Sequence, residues 1–319
     1  MRFLKSGLKK AVGGAVRRLP ALRRSMTQGL NVFLFHDVTD EPSPFNAQYA
    51  LAVSRATFRR QAAWIRDNFE VIHPARLFDQ SVLPPRAALI TFDDGFLGTF
   101  ENGLEILRDM QLPSVVFVNM RAVLEQTPIL SVVACYLNQH VPEFAGFADS
   151  VGLRRPYHLT LTPKLLAEFE QRSGALDRAA VLDYQGQFAD LQTMRKWSDA
   201  RWVLYGSHLF DHWNVRALDS VEFQHHYQSN ERALAQFDNR ANLFAFPNGQ
   251  PVSCFSDSDV EQLRQLGAGR VFSARGGVNR DSTQYLLSRC GLGEQDADED
   301  GIWFRMGRAA AEDAFNRRR

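Results

Sequence analysis

The sequence predicts an α/β fold built around a mainly parallel sheet. Short apolar runs, several of them β-branched, alternate along the chain with longer segments whose apolar residues recur at helical spacing. This repeated strand–helix order is typical of parallel sheets covered by helices. The chain has 319 residues, of which 45% are hydrophobic. It is therefore long enough to bury a large core, and one α/β barrel domain often exceeds about 200 residues.

The predicted elements follow one another from residue 31 to residue 273. Predicted strands are the apolar runs at residues 31–38, 86–92, 114–118, 201–206, 243–246 and 270–273. Predicted helices cover residues 57–69, 97–109, 162–197, 220–237 and 257–267. The stretch 162–197 is long for one connection, and we interpret it as including an insertion that shapes the rim of the site.

Two carboxylates follow the strand at residues 86–92. Asp93 and Asp94 end this strand, and Gly95 permits the backbone conformation of a sharp turn. Consecutive strand side chains point to opposite sides, but this rule loosens at a turn, so both carboxylates could face one cavity. An Asp-Asp-Gly sequence alone is usually only a turn. If it is more than that, one carboxylate can bind a metal while the other stays free as a base.

Two histidines follow the strand at residues 201–206. His208 and His212 are four residues apart, and on one helical turn this spacing puts both imidazoles on the same face. Two histidines and one carboxylate give the three-ligand arrangement with an open position that is typical of catalytic zinc sites. Zn²⁺ suits these ligands, and Co²⁺, Ni²⁺ or Fe²⁺ could fill them as well. The alternative is a pair of solvated histidines on a polar helix face.

Together with two further segments, these motifs resemble those of the polysaccharide deacetylases of carbohydrate esterase family four, the nodulation-factor deacetylase homology group. Residues Thr91–Gly95 match the family's Thr-Phe-Asp-Asp-Gly motif, and Gly206–His212 contain its His-x-x-x-His motif. Phe246–Gly249 resembles its Tyr-Pro-Tyr-Gly motif, and Asn31–Val38 resembles the Tyr-His-Asp-Val strand that opens one branch. The resemblance runs from residue 31 to residue 290 and implies a distorted (β/α) barrel as a single catalytic domain.

The resemblance implies a role for each matching residue. Asp94, His208 and His212 would bind the metal, and Asp93 would be the general base that takes a proton from the attacking water. The backbone N–H of Asn248, at the place of the family's Tyr, would donate to the oxyanion. The implied activity is that of a metal-dependent hydrolase that removes an N-acetyl group from a saccharide.

The sequence departs from the family at the general acid. The family's late Leu-x-His motif is not evident, and the corresponding segment, Tyr285–Gly291, contains no histidine. His36 ends the apolar run 32–35 and is the candidate replacement, because the branch with the opening Tyr-His-Asp motif is thought to use this histidine. The alternative is that His36 is a hydrogen-bonded core residue. His73 is a weaker candidate.

The cysteines indicate the compartment. Cys135, Cys254 and Cys290 are odd in number and show no Cys-x-x-Cys spacing, which favours a reducing compartment without a disulfide framework.

The net charge of +1 hides an asymmetry, because residues 1–28 hold eight Lys or Arg and no Asp or Glu. The remainder has 29 basic against 36 acidic residues, which is not the composition of a nucleic-acid binder.

Residues 1–29 are predicted to form a basic arm. Its apolar residues recur at helical spacing and are Leu4, Leu8, Ala11, Val12, Ala15 and Leu19. A basic amphipathic helix of this kind suits an anionic membrane surface. The uncharged run 11–16 is too short for a signal peptide. We therefore expect a cytoplasmic protein that lies on the inner face of the membrane, and the alternative is a disordered, solvated arm.

Residues 30–290 are predicted to be the catalytic domain, followed by a tail at residues 291–319. The tail opens with an acidic run, interpreted as a solvated loop that could pair with the basic arm: Glu294, Asp296, Asp298, Glu299 and Asp300. A short amphipathic piece follows and ends in Arg317–Arg319.

The predicted substrate is an N-acetylated saccharide of the bacterial envelope. A membrane-apposed cytoplasmic enzyme would fit a lipid-linked precursor or the lipopolysaccharide core better than mature peptidoglycan. Two alternatives keep the same fold. One is hydrolysis of a non-sugar amide or an O-acetyl ester, and the other is a degenerate member that only binds saccharide.

Overall fold

A parallel sheet dominates the computed structural model, which describes residues 11–79, 82–174 and 176–316. Within these residues the strands are β1 (Gly29–Phe35), β2 (Asp37–Val38), β3 (Ala52–Val53), β4 (Glu70–Val71), β5 (Arg86–Phe92), β6 (Ser114–Val118), β7 (Val203–Ser207), β8 (Arg240–Ala245), β9 (Arg270–Phe272), β10 (Leu286–Leu287) and β11 (Cys290–Gly291). The main sheet runs in the order β10-β9-β8-β7-β6-β5-β1-β11, with β4 also beside β5, and β2 pairs with β3 separately. Every strand pair is parallel.

The segment 286–291 closes this sheet into a distorted barrel. Strand β10 pairs with β9 at one edge, and β11 pairs with β1 at the other edge. Only Ser288 and Arg289 separate these two short strands, so the two edges of the sheet meet at this point. The predicted fold class, a distorted barrel of mainly parallel strands, is confirmed.

Helices cover the outside of the barrel. They are residues 11–18, Pro20–Thr27, Pro44–Tyr49, Arg55–Asn68, Leu104–Asp109, Met120–Glu125, Leu130–His140, Glu143–Ser150, Pro163–Ser173, Arg178–Gln185, Leu191–Lys196, Ser220–Leu234, Asp257–Gln265 and Glu299–Asn316, numbered α1 to α14 in this order. Single turns of 3₁₀ helix lie at Pro74–Leu77, Tyr157–Leu159, Val215–Ala217 and Glu294–Asp296, and a π-helical turn, Thr99–Gly103, leads into α5. No helix of the described ranges is both long and apolar enough to cross a membrane.

Successive side chains along each strand point alternately into the barrel interior and outward to the helices. Leu89 of β5 and Phe117 of β6 belong to an interior cluster, whereas their neighbours Ile90 and Val116 pack outward against helices. Interior packing also explains Gly206 of β7, because a Cβ at this position would lie 2.6 Å from the Phe117 ring. The barrel is therefore filled by side chains, and a site can form only at its rim.

The connection between β6 and β7 differs from the prediction. The sequence predicts one long helical stretch over 162–197, but the structure contains α9, α10 and α11 there, separated at Gly174 and Gly186. Both glycines have positive φ angles, 92° and 88°, a conformation that disfavours continued helix. Helices α6, α7 and α8 precede them, so the whole segment between β6 and β7 forms a helical layer with its own buried cluster.

The C-terminal segment belongs to the folded unit, and the acidic run, predicted to be a solvated loop, is solvated only in part. Asp296 is fully buried, and Glu294 accepts hydrogen bonds from Ser54 and Thr57 of the α4 N-terminus. The predicted short amphipathic piece is an 18-residue helix, α14, whose Trp303 packs against Trp64 at a ring-centroid distance of 5.2 Å. Glu294, Asp298 and Glu299 stay exposed, whereas the buried Asp296 accepts a hydrogen bond from Arg305 of α14.

The basic arm packs on α14 through one of its faces. Arg17 forms ion pairs with Glu299 (3.1 Å) and Asp300 (3.4 Å), so the acidic run does pair with the arm. Val16 is buried, whereas Val12 and Leu19 of the predicted apolar face are about half exposed at 41% and 51%. Other predicted arm residues lie outside the described part of the chain, as do the last three arginines: Arg2, Leu4, Lys5, Leu8, Lys9, Lys10 and Arg317–Arg319.

Candidate metal centre

The two predicted carboxylates meet at a turn after β5. Asp94 has a φ of +73° and Gly95 a φ of +97°, so the chain reverses immediately after the strand. The backbone N–H of Asp93 still donates to the Phe35 carbonyl of β1 at 3.0 Å, which anchors the start of the turn to the sheet. Both carboxylates are buried and line the same cavity. The prediction that the turn lets them face one cavity is confirmed.

The two predicted histidines lie on a loop and not on a helix, which corrects the expected geometry. The segment 208–214 has no regular secondary structure, and Leu209 has a φ of +64°. The Asn119 side-chain amide donates to the carbonyls of His208 and Leu209. A left-handed residue held by these hydrogen bonds folds the loop back on itself. His212 is brought beside His208 by this reversal rather than by a helical repeat.

Helix α6 holds the same loop from the other side. The backbone N–H of Arg121 donates to the Phe210 carbonyl at 2.9 Å, and its guanidinium pairs with Asp211 at 2.6 Å. Asp211 is only 3% exposed, and its second oxygen accepts from the His212 backbone N–H. The residue before the second histidine, Asp211, is therefore fixed by an ion pair whose carboxylate is buried and whose guanidinium is partly exposed.

Asp94, His208 and His212 converge on one point. The Nε2 atoms of both histidines lie 3.4 Å from Asp94 Oδ1, and the three side chains offer ligand atoms that all lie within 4.8 Å of one another. Ligands at the usual bond lengths of about 2.0–2.2 Å from a tetrahedral Zn²⁺ are roughly 3.3–3.6 Å apart. Asp94 Oδ1 is buried without a hydrogen-bond partner in the structure, as expected for an atom that binds a cation. The three residues therefore fit a divalent metal.

Hydrogen bonds on the far side of each ring orient the histidines. His208 Nδ1 lies 2.8 Å from the Ala245 carbonyl, which can only accept, so Nδ1 carries the proton and Nε2 is free to bind a metal. His212 Nδ1 lies 2.9 Å from the Ser131 hydroxyl of α7. In proteins, a metal-binding histidine usually forms a hydrogen bond through the ring nitrogen that does not bind the metal. The Ala245 carbonyl and the Ser131 hydroxyl are partners of this kind.

Burial and charge shift the pKa values of this cluster in opposite directions. Burial lowers the pKa of His212 to about 4, so this ring is neutral at neutral pH. Burial also works against protonation of His208, but the charges of Asp93 and Asp94 raise the pKa of His208 above its ordinary value. Burial alone would raise the pKa of Asp94, yet the nearby histidines hold it well below its usual range. A metal would bind only the deprotonated Nε2 of His208, so metal binding competes with protonation of this ring.

Asp93 is held by an arginine that the sequence analysis did not single out. Arg289 Nη1 and Nη2 lie 2.5 and 2.8 Å from the two Asp93 oxygens, and Arg289 Nε donates to the Ser273 carbonyl. Arg289 is fully buried. Burial would raise the pKa of Asp93, but the charges of Arg289 and then of His208 outweigh it and lower the pKa. Asp93 is thus an oriented carboxylate that stays ionised at neutral pH.

The cavity at the metal centre has a volume of about 260 Å³. It is lined by Asp93, Asp94, His208, His212, His36 and Asn248, and by a mainly apolar wall that includes Phe45, Tyr49, Leu51, Ile129 and Cys135. Asn248 has a φ of +59°, and its side-chain Nδ2 is buried without a hydrogen-bond partner in the structure. The structure therefore brings all the predicted site residues into one cavity.

Of two further histidines, one lines the cavity and the other lies away from it. His158, which the sequence analysis missed, also lines the cavity, and burial lowers its pKa. His73, the weaker candidate, lies elsewhere, because its ring bonds the Ala200 carbonyl and the Ala75 N–H. No sequence signal marks His158, because the helical layer that carries it lies between the two motifs. Arg289 had a signal, namely a single charge within the otherwise uncharged segment Tyr285–Gly291.

Fold and site together define a metal-dependent hydrolase. A closed parallel barrel carries, at the carboxyl ends of its strands, two histidines, one carboxylate ligand and a second free carboxylate. A profile of the polysaccharide deacetylases matches residues 80–271, which is more than half of the chain. The chain therefore belongs to the polysaccharide deacetylase family, and the predicted class of metal-dependent carbohydrate deacetylase is confirmed.

Solved structures agree on the fold. IcaB from Ammonifex degensii superposes with a TM-score of 0.58 at 17% identity, covering 87% of this chain and 97% of its own. The deacetylase PplD from Streptococcus pyogenes, in complex with acetate, has a TM-score of 0.58 at 12% identity, covering 87% and 98%. A de-N-acetylase from Aggregatibacter actinomycetemcomitans has a TM-score of 0.56 at 15% identity, covering 86% and 98%. A comparison with curated proteins found no match.

Proposed function

We propose that the protein removes an N-acetyl group from a saccharide of the bacterial envelope, with Asp93 as general base. The observation that carries this proposal is the free carboxylate beside the metal ligands. Asp93 lies 3.8 Å from His208 Nε2 and is held by Arg289, so it is ionised and oriented but not required as a ligand. Saccharide binding alone does not require an ionised carboxylate beside the metal ligands, whereas hydrolysis requires a base there.

The residues of the site divide the chemistry among them. Asp94, His208 and His212 would hold a divalent cation, which would supply Lewis-acid polarisation of the scissile carbonyl and would lower the pKa of a water to about 7. Asp93 accepts the proton of the attacking water, and Arg289 keeps Asp93 deprotonated and pointed into the cavity. The backbone N–H of Asn248 donates to the oxyanion. The family's tyrosine is not needed for this last role, because only the backbone acts.

Zn²⁺ is the proposed metal. Two imidazoles and one carboxylate with a fourth position open suit Zn²⁺, and the 3.4 Å ligand separations fit its tetrahedral bond lengths. Co²⁺, Ni²⁺ and Fe²⁺ accept the same ligands. Metal analysis of protein purified without chelators identifies the ion.

His36 is the proposed general acid. It lines the catalytic cavity at the end of β1, and its backbone carbonyl is fixed by the Thr99 hydroxyl at 2.5 Å. The segment Tyr285–Gly291, where the family places its late histidine, contributes Arg289 instead, which lies behind the cavity and pairs with Asp93. An amide nitrogen leaves poorly as an anion, so a proton donor must reach it. His36 is the acid that the sequence analysis proposed, and it lines the cavity.

Replacing His36 with glutamine is expected to slow amide hydrolysis by about 10²–10⁴-fold, the usual contribution of one positioned proton-transfer group. The loss should be smaller for an O-acetyl ester, because an alkoxide leaves more readily than an amide anion. Acetate release from paired amide and ester substrates measures both effects. His225→Gln on the exposed face of α12 is the matched control. Unchanged amide turnover in His36→Gln would move the acid role to His158.

Acetyl removal is supported by the solved structures, and a location at the envelope is supported by the surface of the arm. The solved PplD contains acetate, and the Aggregatibacter protein is described as a de-N-acetylase. Both come from bacteria. Leu19 and Leu22 are exposed at 51% and 41% beside the exposed Arg18 and Arg23, which suits an anionic membrane surface. Cys135, Cys254 and Cys290 are buried and form no disulfide within the described residues, as in a reducing compartment. We therefore propose a cytoplasmic enzyme at the inner membrane face that acts on a lipid-linked precursor or the lipopolysaccharide core.

Two alternatives keep the same site. A non-sugar amide or O-acetyl ester would use the same ligands and base, and parallel assays of acetate release from amide and ester substrates separate these reactions. A saccharide-binding protein without activity would still bind a metal, but Asp93 would then be dispensable for its function.

Replacing Asp93 with asparagine is the experiment that tests the proposed function. Turnover of a metal-reconstituted protein on envelope saccharide should fall by about 10²–10⁴-fold, because the base is lost. The metal content should stay at the parent level, because Asp93 is not one of the three converging ligands. Acetate release and metal analysis on the same samples measure both quantities. Asp67→Asn, at the exposed end of α4, is the control. Full activity in Asp93→Asn contradicts the assigned base, and a parent that binds metal but releases no acetate favours the binding protein.

A further inference from the structure

A cleft opens at the base of the barrel, at the amino ends of the strands. Its volume is about 450 Å³, and its walls are the start of β1, the segment 82–85 before β5, and the loop between β9 and β10. Three arginines line the cleft, namely Arg76, Arg270 and Arg280. Among the residues that the structure describes, Asp79 is its one lining carboxylate. The cleft therefore carries an excess of positive charge, which favours an anionic ligand.

Within the described residues, two of these arginines use few of their N–H donors. Arg280 Nη2 donates to the Ser25 carbonyl of α2 at 3.1 Å, and Arg270 Nη1 donates to the Gly269 carbonyl at 3.0 Å. Arg270 Nε is buried and has no acceptor in the described part of the chain. A guanidinium carries five N–H donors in a fixed fork. Both side chains can therefore still bind the oxygens of a phosphate group, whose geometry matches this fork.

Exposed apolar side chains surround the cleft. Val82, in its lining, is 93% exposed, and Phe78 and Leu22 are 44% and 41% exposed. The Phe78 ring lies against Gly269, where an added Cβ would be 2.6 Å from it. Leu22 of α2 lies about one helical turn before Ser25, the residue that Arg280 contacts. Apolar side chains around a cationic cleft match the interface of an anionic bilayer, where headgroup phosphates border the acyl chains.

Helix α2 adds positive charge to the same surface. Pro20–Thr27 contains two exposed arginines, Arg23 and Arg24, and no acidic residue. Beside the cleft lies a second carboxylate, Asp281, which accepts hydrogen bonds from the backbone N–H and the hydroxyl of Thr283. We call α2, Phe78, Asp281 and the lining of the cleft the base surface. It holds five arginines against two carboxylates, so it is attracted to an anionic membrane.

The base surface and the metal centre lie at opposite ends of the barrel. Strand β1 begins at Gly29, which lines the cleft, and ends at Phe35, next to His36 of the catalytic cavity. A seven-residue strand at about 3.3 Å per residue spans about 20 Å. Every strand pair is parallel, so the other catalytic segments leave the sheet at the same far end. A flat surface that covers the cleft therefore leaves the catalytic cavity open.

We propose that the base surface binds an anionic phospholipid bilayer. Arg270 and Arg280 hold a headgroup phosphate in the cleft, and Leu22, Phe78 and Val82 enter the interface. This inference rests on the proposed membrane location, and it adds to that location a lipid site on the folded body and an orientation. The catalytic cavity opens away from the bilayer, so the acetylated sugar has to extend past the body of the barrel to reach it.

Vesicle co-sedimentation of the Zn²⁺-loaded full-length protein tests the lipid site. The partition constant is measured on vesicles of phosphatidylcholine alone and of phosphatidylcholine mixed with phosphatidylglycerol. We expect binding to the mixed vesicles only. Binding should be about fivefold weaker in Arg280→Gln and about 25-fold weaker in Arg270→Gln/Arg280→Gln, because each arginine near an anionic surface adds to the attraction. Arg216→Gln, an exposed arginine near the carboxyl end of β9, is the matched control and should keep the parent value.

These outcomes separate the lipid site from the proposed location. A double variant that binds mixed vesicles as tightly as the parent would overturn the lipid site, and membrane binding through the arm would stand. A parent that binds neither kind of vesicle would overturn both. Acetate release plays no part in the measurement, so failure of the proposed hydrolysis leaves the result valid.

The orientation is tested with a fluorophore at either end of the barrel. Val82→Cys and Val252→Cys place a label at two side chains that are 93% and 86% exposed, and the natural cysteines are buried. On mixed vesicles we expect an environment-sensitive label to shift to the blue at residue 82 and to stay unchanged at residue 252. A shift at residue 252 would overturn the orientation. A vesicle-independent dimer that Leu22→Ser dissociates would assign the base surface to a second copy of the chain and overturn the lipid site.

Discussion

Replacing His208 with alanine is expected to remove the metal and the activity together. His208 is one of three converging ligands, it is 1% exposed, and its tautomer is set by the Ala245 carbonyl. Loss of an outer partner alone typically costs about 10–100-fold in metal affinity, so loss of a ligand should cost more. Without the cation, turnover should fall by at least about 10³-fold, because metal polarisation is worth several kcal/mol of barrier. Metal analysis and acetate release measure the two losses.

Ser131→Ala is the matched control for this experiment. It keeps all three ligands and removes only the hydroxyl that contacts His212 Nδ1 at 2.9 Å. We expect about 10–100-fold weaker metal binding and activity that returns when excess Zn²⁺ is added. His208→Ala should not recover under the same conditions. A His208→Ala protein that holds one metal and keeps turnover would show that the metal site lies elsewhere, and thermal unfolding of the metal-free proteins shows whether each variant is folded.

The two motif segments could be predicted because each of them depends on residues that are neighbours in the sequence. A strand of apolar and β-branched residues ending in Asp-Asp-Gly places Asp93 and Asp94 at the rim from sequence alone, and the strand 86–92 has the predicted bounds. The sequence analysis correctly places His208 beside His212, but it attributes their proximity to a helix that the structure does not contain. Their spacing suggested a helix, but the loop depends on a left-handed Leu209 and on hydrogen bonds from Asn119, which is about 90 residues away.

Arg289 could not be placed from sequence because its position depends on barrel closure. Only after β10 and β11 join opposite edges of the sheet does residue 289 face Asp93, which is 196 residues earlier in the chain. Hydrophobic periodicity reports the faces of single elements, and it carries no information about which distant faces meet.

A second large effect, on stability, is expected from breaking the buried ion pair between Arg289 and Asp93. Replacing Arg289 with methionine leaves Asp93 as an uncompensated charge that is 3% exposed. Removing one partner of a buried ion pair costs about 3–5 kcal/mol of folding free energy. The folded-state pKa of Asp93 lies below its ordinary value. The pair therefore stabilises the fold at neutral pH, and this contribution is lost as the pH falls through that pKa. Urea unfolding of the metal-free protein at neutral pH measures the free energy of unfolding.

The double variant Asp93→Asn/Arg289→Met distinguishes a charge effect from a packing effect. Asparagine removes the stranded charge, so the double variant should be more stable than Arg289→Met alone, and the cycle gives the coupling between the two residues. Arg66→Met removes an exposed ion pair with Asp67 and should change stability little. Arg289→Met should also move the acidic limb of the activity profile to higher pH, because burial then raises the pKa of the base with its main opposing charge gone. A double variant no more stable than Arg289→Met would assign the loss to packing against Phe117, whose ring lies 5.4 Å from the guanidinium carbon.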